Sequence, residues 1–512
     1  MTTSFSPSET GSQSPDMLTK NFSRISLLGL AFITLNSWTA FASALPLSLT
    51  SGGPTSIIWG LLTSGFCTLC IAASLAEFLS AYPTAAGQYR WVAVSWDDYR
   101  RVLSWITAWA NVTAWEFNLQ RWHVFLIYVG FNMIALLVNA FWNRILSALN
   151  RAALIWSLCG FSIILVTVLA CASPNYNSAS QSDGSVRFVF TTFINETGWP
   201  DGLAWLLGLL QGGLCLVGVD AVAHMIEEIP KPTVDGPLIM VACVAIGLAT
   251  SLILIIALLF VSRDIDTIIT SGAGPLLQIF FEATNSEVAS ICLLLFPIGC
   301  LLLGVVAITT TSSRMIYALA RDSGLPFSSI WTTFNARLKT PVNALALNTA
   351  AVICCGFIFL GSSSAFNALS SATVICFDIS YCLPILIHCI RGRKLLPVGP
   401  WSLYPVIGWI VNIVSVAYIL FTTVLFVFPP ARPVTGSTMS EDVPARANFK
   451  NLTDGRFCCL VDYAIAATGG IALLSAIDWF VRGQKRFMQI LVNAEIECPQ
   501  ARSSISPTKS DV

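Results

Sequence analysis

Long apolar stretches separated by short polar ones run through almost the whole chain. A helix rises 1.5 Å per residue, so it needs roughly 20 apolar residues to cross about 30 Å of hydrocarbon. The pattern predicts twelve such helices, two of them short. Their predicted bounds are 25–49, 56–75, 102–118, 122–141, 152–172, 203–226, 237–261, 288–312, 341–360, 365–390, 403–428 and 457–481.

Composition agrees with this pattern. Charged residues make up 11% and apolar residues 55% of the 512 positions, whereas soluble domains usually carry about 25% charge. We therefore expect an all-α integral membrane protein with one transmembrane domain at 25–481. We expect cytosolic tails at 1–24 and 482–512, the first of them disordered because it is rich in Ser, Thr and Pro. No apolar core precedes Ile25, so a cleaved signal peptide is not expected.

Basic residues gather in every second predicted loop. Such loops stay in the cytosol, which places both termini there as well. The residues concerned are Arg90, Arg100, Arg101, Arg144, Arg151, Arg314, Arg321, Arg337, Lys339, Arg391, Arg393 and Lys394. The intervening loops 175–201 and 429–456 carry Asn-x-Thr sequons at Asn195 and Asn451. Both are glycosylation candidates, although such sequons also arise by chance.

The stretch 102–141 has about 40 residues for two helices and a turn. Basic loops flank it on both sides, so the two helices cross the membrane together or not at all. Crossing together requires a very tight outer turn that contains Glu116, Arg121 and His123. We keep both helices in the predicted twelve.

Cofactor chemistry is not indicated. Nearly all of the 16 cysteines lie in apolar helices, and the three histidines lack metal-ligand spacing with a partner. No phosphate-binding loop is present, which excludes an ATP-driven pump. We expect no metal, no cofactor, no catalytic site and no nucleic-acid partner. If the protein moves a solute across the membrane, the energy would come from an ion gradient or from the substrate gradient.

Two predicted helices are interrupted at corresponding positions of two five-helix halves. Residues 35–39 (LNSWT) interrupt the first, and residues 217–221 (VGVDA) interrupt the sixth. Transporters often bind substrate at such breaks, where backbone groups are free. Alternatively, the glycines of the sixth helix, Gly212, Gly213 and Gly218, only permit close packing, and Asn36 and Ser37 form interhelical hydrogen bonds.

Ionisable residues inside apolar helices are expensive and therefore mark functional candidates. Asp220 adjoins the second break and could bind a substrate ammonium or a proton, or could instead fix a helix turn as a hydrogen-bond acceptor. One turn later, His224 could share that proton or be a packed hydrogen-bonding residue. Asp378 lies deep in the tenth helix. We interpret Asp462 and Asp478, near the ends of the last helix, as anchors.

Acidic residues also lie near the cytosolic ends of two helices. Glu227 and Glu228 could close an inner gate by pairing with Arg314 or Arg321, or could form a solvated helix end. In the second helix, Glu77 is either a gate residue or one that snorkels to the interface.

Two motifs resemble the amino acid, polyamine and organocation permeases. They are GVDAVAHMIEEIP at 218–230 and LAEF…PTAAGQY at 75–89. More narrowly, the chain resembles the fungal branch that includes choline and 4-aminobutyrate permeases, and the similarity covers 22–487. That branch is matched by LGLAFITLNSWTAF, SGGPTSIIWGL, SWITAWANVT, FINETGWPDG and AIDWFVRG.

The resemblance implies a LeuT-like fold of twelve helices with a five-plus-five inverted repeat. It further implies proton-coupled uptake of a small amine-bearing solute across the plasma membrane, with protons, substrate and lipid as the partners. The solute would be an amino acid, 4-aminobutyrate, choline or a polyamine. The substrate residues implied by the family's unwound segments are Asn36, Ser37, Trp38, Thr39, Gly218, Val219, Asp220 and Ala221. The residues expected to couple or gate are Asp220, His224, Glu77, Glu227 and Glu228.

One departure from the family bears on function. Members have a full third helix and an outer loop after the motif matched by 104–113, whereas about 30 residues are missing here. A mispredicted intron or real degeneration would explain the gap. The alternative function is therefore a permease-like membrane sensor or binding protein that does not transport. Trp38 could stack on a quaternary ammonium, or could be a packing wedge at the break.

Overall fold

The computed structural model describes residues 22–483, except for 96–99, 115–121, 173–184, 263–264, 272–273, 336, 362, 395, 397–398 and 429–462. Within these residues the regular structure is helical, apart from two isolated β-bridges, Ser51↔Asn195 and Asn335↔Thr340. This confirms the predicted all-α class. Residues 1–21 and 484–512, and the predicted residues Glu116, Arg121, Asn451 and Asp462, lie outside the described part.

The first ten helices are α1 Arg24–Leu35, α2 Ser37–Thr50, α3 Gly53–Ala81, α4 Gln88–Ser95, α5 Arg100–Ala114, α6 Trp122–Phe141, α7 Asn143–Ala172, α8 Ser185–Thr191, α9 Asp201–Leu214 and α10 Ala221–His224. A 3₁₀ turn at Ile226–Glu228 follows. The others are α11 Pro232–Val261, α12 Ile265–Thr270, α13 Pro275–Thr284, α14 Glu287–Arg321, α15 Ser328–Trp331, α16 Val342–Gly361, α17 Ser363–Ile390, α18 Pro405–Leu425 and α19 Tyr463–Asp478. A π-helical turn at Trp479–Gly483 ends the described chain.

Seven of the described helices are long and apolar enough to cross a membrane. They are Arg24–Ala42, Gly53–Ala81, Asn143–Ala172, Pro232–Val261, Glu287–Arg321, Ser371–Ile390 and Pro405–Leu425. Shorter apolar helices cover Tyr128–Phe141, Val342–Ile358 and Thr468–Val481. The seven support a multi-pass membrane protein, while the count of twelve stays a prediction.

The outer helices expose apolar side chains, as lipid-facing helices do. Ile155 and Val166 on α7, Leu295 on α14 and Val406 on α18 are each more than half exposed. A soluble protein rarely leaves such extended apolar faces uncovered. In lipid these side chains would face hydrocarbon, and each helix satisfies its own backbone hydrogen bonds.

At the centre, α3 packs against α9 and α11, and α1 packs against α7 and α11. Close approach depends on glycines. A Cβ atom on Gly212 would meet the backbone of Gly60 and the hydroxyl of Ser64. Gly212 is therefore a packing residue of α9, as the alternative interpretation of the sequence proposed.

The Gly208→Ala substitution tests this packing on the same helix. Its new Cβ would overlap the backbone carbonyl oxygen of Ser51, so we expect a loss of about 1–3 kcal/mol of stability. The control is Gly202→Ala, because nothing lies within 4 Å of the Cβ position there. Melting temperatures of the detergent-purified proteins should fall for Gly208→Ala alone. Equal melting temperatures would contradict the packing role.

The described part of the predicted third helix is α5, Arg100–Ala114. Its 15 residues span about 22 Å at 1.5 Å per residue. The residues on either side, 96–99 and 115–121, lie outside the described part, so the truncation stays a prediction. α5 packs against α4 and α17. α6 begins only eight positions after α5 ends, and the predicted tight turn between them lies outside the described residues.

Candidate functional site

The first break is a single left-handed residue. Asn36, at φ 46° and ψ 34°, separates α1 from α2, and its carbonyl oxygen accepts a hydrogen bond from the Thr39 hydroxyl at 2.8 Å. Among the described residues, Asn36 Oδ1 and Ser37 Oγ are buried without hydrogen-bond partners. Buried polar atoms are nearly always paired, so these two are candidates to contact a bound molecule.

The second break is longer. α9 continues through Gly213 to Leu214, residues 215–220 are not helical, and α10 is one turn. Gly218 has φ 94°, which a residue with a side chain rarely adopts. Gly218 is thus the glycine that opens the helix. The two breaks lie together, since Ser37 and Leu216 both pack at Gly247 of α11.

Asp220 follows the second break and is completely buried. Its Oδ1 accepts a hydrogen bond from the hydroxyl of Tyr381 at 2.7 Å, and its Oδ2 accepts one from Gln88 Nε2 at 2.8 Å. The same Oδ2 lies 3.2 Å from His224 Nε2. The side chain makes no capping bond to the backbone of α10. It instead joins Tyr381 of α17 and Gln88 of α4 to the His224 side chain.

The partners of His224 fix where its protons lie. Nδ1 is 2.9 Å from the carbonyl oxygen of Ala85. A carbonyl oxygen only accepts, so Nδ1 carries a hydrogen. In a neutral imidazole Nε2 would then be bare, and it could not bond to an ionised Asp220 carboxylate. A hydrogen bond between these two atoms would therefore need one additional proton, either as a carboxylic acid on Asp220 or as an imidazolium on His224.

Glu227 lies next to this pair. Its Oε1 accepts a hydrogen bond from the backbone N–H of Ala85 at 3.0 Å and lies 3.2 Å from Arg321 Nη2. The peptide groups of Ala85 thus bond to His224 through the carbonyl and to Glu227 through the N–H. One residue of the loop between α3 and α4 thus joins the Asp220–His224 pair to the Glu227–Arg321 ion pair.

Glu228 forms a second, more deeply buried ion pair. Its Oε1 is 2.9 Å from Arg314 Nε, with side-chain exposures of 2% and 1%. Arg314 Nη2 also donates to Asn143 Oδ1 at 3.3 Å. These exposures exclude a solvated helix end at Glu228. Both arginines named from the sequence are the observed partners, one for each glutamate.

Residues 112–440 match the amino acid permease family, which is more than half of the chain. The chain belongs to the amino acid permease family. A choline transporter of Saccharomyces cerevisiae is 30% identical over 92% of this permease and 83% of the relative. A putative amino acid/polyamine transporter of Macrophomina phaseolina is 32% identical over 84% and 99%. An amino-acid permease of Arabidopsis thaliana is 27% identical over 85% and 90%.

These relatives confirm the resemblance and the membrane class. The protein is a multi-pass membrane permease, a transporter and not an enzyme. The match to the choline transporter covers 92% of this chain, while the predicted shortfall in the third helix stays a prediction.

Glu77 of the permease is held inside the protein. Both of its carboxylate oxygens accept from Arg393 Nη2, at 2.9 and 2.8 Å, and Oε1 also accepts from the Leu403 N–H at 2.8 Å. Its side chain is 7% exposed, so it does not snorkel. The pair ties α3 to the segment between α17 and α18.

A fourth acidic residue, Asp322, lies at the same end of the bundle. The Tyr89 hydroxyl donates to Asp322 Oδ2 at 3.0 Å, and Arg90 lies 3.8 Å from that oxygen. Burial raises the pKa of the Asp322 carboxyl, although the charge of Arg90 opposes the shift. Burial also raises the pKa of Tyr89 well above its usual range, so its hydroxyl stays a donor. We call the region of Glu77, Glu227, Glu228 and Asp322 the basic end, because each acidic group faces an arginine there.

The other predicted substrate residues differ in what they offer. Trp38 is buried, its Nε1 donates to Ser157 Oγ at 2.9 Å, and its ring packs edge-on against Phe161. This environment fits the alternative of a packing wedge, while stacking on a quaternary ammonium stays a prediction. Val219 and Ala221 are buried apolar residues, so only their backbones could contact a polar substrate.

Two partners of Asp220 were not foreseen from the sequence. Gln88 belongs to the PTAAGQY motif, and Tyr381 lies one turn after Asp378, so each stands beside a recognised signal. Neither carries a charge in an apolar helix. An uncharged side chain in an apolar helix has no large desolvation cost, so these two residues were not singled out within their motifs.

The sequon at Asn195 is expected to stay unmodified. Its Nδ2 donates to the Trp199 carbonyl at 2.8 Å and to Asp201 Oδ1 at 2.9 Å, so both amide hydrogens are engaged. Thr197 of the sequon is 4% exposed. The electrophoretic mobility of Asn195→Gln should equal that of the native protein, and a faster-migrating variant would refute this.

Proposed function

We propose that this permease is a secondary active transporter that takes up a small amine-bearing solute together with protons. The buried pair of Asp220 and His224 at the sixth-helix break carries the proposal, since a hydrogen bond between the two side chains would need one extra proton. The names of the relatives support the substrate class: choline, amino acids and polyamines all contain an amine or ammonium group.

A proton and the substrate ammonium would share the Asp220–His224 site. With the proton on His224 Nε2, Asp220 remains a carboxylate and can bind an ammonium in place of the Tyr381 or Gln88 hydrogen bond. When the proton leaves, Asp220 Oδ2 and His224 Nε2 become two acceptors facing each other, and their contact turns repulsive. Loss of the proton would therefore drive the turn of α10 out of this arrangement.

The ion pairs at the basic end would provide the gate. By the distribution of basic loops, this end and both termini would lie in the cytosol. Glu227 with Arg321, and Glu228 with Arg314, would close the cytosolic side and separate when the site opens inward. Because Ala85 contacts both His224 and Glu227, a change of the proton site would reach the gate directly.

The proposed architecture is that of twelve helices with a five-plus-five inverted repeat in the plasma membrane. The equivalent placement of the breaks at Asn36 and Gly218 supports the repeat. Substrate would bind between these breaks, where Asn36 Oδ1 and Ser37 Oγ lack partners among the described residues.

The test is transport by the purified full-length protein in liposomes. Radiolabelled choline, 4-aminobutyrate and putrescine would each be supplied with and without an inward proton gradient. We expect accumulation of at least one of them, abolished by a protonophore. If liposomes with protein accumulate none of the three above protein-free liposomes, proton-coupled uptake of these amines is wrong.

The predicted shortening of the third helix favours a second candidate, a permease-like sensor that binds solute without moving it. The two functions differ in flux: a sensor binds ligand but exchanges none across the bilayer. Sequencing the transcript between the codons for Ala114 and Trp122 is a further discriminator. An additional coding segment of about 30 residues would complete the third helix and favour transport.

A further inference from the structure

Besides Asp220, the membrane part of the permease buries another carboxylate that the proposed function has not used. Asp378 on α17 is 8% exposed. Its Oδ2 accepts hydrogen bonds from the hydroxyls of Thr422 at 3.1 Å and Thr423 at 3.4 Å, both on α18. A buried ionised carboxylate without a cation is expensive, and such a group lowers its free energy by binding a proton.

A small cavity adjoins this carboxylate. Its volume is about 30 Å³, which is room for one or two water molecules. The polar side chains that line it are Thr68, Asp378, Tyr381, Tyr418 and Thr422. They offer the two to four polar partners that a buried water needs.

The cavity connects Asp378 to the candidate site. Tyr381 lines it one turn after Asp378, and its hydroxyl donates to Asp220 Oδ1 at 2.7 Å. α17 ends at Ile390 in the basic end, so Tyr381 lies about 4.5 Å nearer that end than Asp378 does. Asp378, the cavity, Tyr381, Asp220 and His224 thus follow one another toward the basic end.

We propose that Asp378 is a second proton-binding site, which passes its proton across the cavity and through Tyr381 to Asp220. This inference rests on the proposed proton-coupled transport. Asp378 gives its proton to a cavity water, that water gives one to the Tyr381 oxygen, and Tyr381 gives its own hydrogen to Asp220. The net change is that Asp378 becomes a carboxylate and Asp220 a carboxylic acid, with water and Tyr381 unchanged.

The surroundings suit such a transfer. The titratable groups that face Asp378 are Tyr381 and Cys382 on α17, Tyr418 on α18, Cys67 of α3 beyond Tyr418, and Asp220 through Tyr381. None of these carries a fixed positive charge that would hold Asp378 permanently ionised. Its proton can therefore leave and return during a transport cycle.

The experiment separates accumulation from exchange in the liposomes described above, with the amine that the native protein accumulates most. Exchange of internal for external substrate without a gradient needs no net proton movement. We expect Asp378→Asn to lower gradient-driven accumulation at least tenfold while exchange stays within twofold. Asp378→Glu restores a titratable carboxyl and should recover accumulation. Tyr381→Phe keeps the ring and should lower accumulation more than exchange.

The control is Asp478→Asn, a carboxylate at the end of α19 away from the cavity, which should keep the native ratio of accumulation to exchange. If Asp378→Asn accumulates substrate like the native protein, or if exchange falls in proportion, the relay is wrong while the proposed function stands. If Asp378→Asn does not fold, the ratio in Tyr381→Phe decides alone, and an unchanged ratio overturns the relay. If the native protein shows no proton-driven uptake, the proposed function itself is wrong.

Discussion

The Asp220→Asn variant is expected to fold yet lose proton-driven accumulation of substrate by about 10- to 100-fold. A charge-assisted hydrogen bond contributes about 1.5–3 kcal/mol, and each 1.4 kcal/mol is a factor of ten in affinity. The asparagine amide can neither bind a proton nor attract an ammonium. Its NH₂ group can, however, donate to a neutral His224 Nε2, so the local fold has a ready replacement contact.

The measurement is accumulation of radiolabelled amine in liposomes, normalised to the amount of monodisperse protein. Asp235→Asn is the matched control, because Asp235 is a partly exposed carboxylate paired with Arg24 at 3.6 Å and lies outside the site. Its accumulation should stay within twofold of native. Near-native accumulation by Asp220→Asn would show that Asp220 does not couple transport to protons.

The charged part of this site could be predicted from the sequence because charge is expensive in an apolar helix. Glu228 and Arg314 lie 86 positions apart. The sequence offered Arg314 or Arg321 as partners for Glu227 and Glu228, with a solvated helix end as the alternative. The position of the second break likewise followed from Gly218 beside Asp220. A charged residue in an apolar helix must find a partner or a polar cavity, so its position in the sequence indicates a functional candidate.

The uncharged part could not be predicted in the same way. Gly212 and Gly218 lack the same atom, yet one allows two helices to approach and the other allows φ 94°. Only the backbone distinguishes these uses. The double contact of Ala85 is equally hidden, since every residue of its type has the same peptide groups. Three-dimensional placement gives Ala85 its role between His224 and Glu227.

The Arg314→Met variant should be among the least stable single substitutions in the basic end. Removing the guanidinium leaves Glu228 as an unpaired carboxylate that is 2% exposed, and breaking a buried ion pair in this way costs about 3–5 kcal/mol. Asn143 Oδ1 loses its donor as well. We expect a lower melting temperature in detergent and a smaller monodisperse fraction on size-exclusion chromatography.

Two further variants separate the charge from the packing. Arg321→Met breaks the neighbouring ion pair, in which the side chains of Arg321 and Glu227 are 38% and 26% exposed. Exposed ion pairs contribute only about 0–1 kcal/mol, so this variant should lose little stability. The double variant Arg314→Met with Glu228→Gln removes both buried charges and should regain most of the lost stability. It should also raise exchange relative to accumulation, because a cytosolic gate without its ion pair opens more readily. If Arg314→Met melts at the same temperature as Arg321→Met, the buried pair does not hold the basic end together.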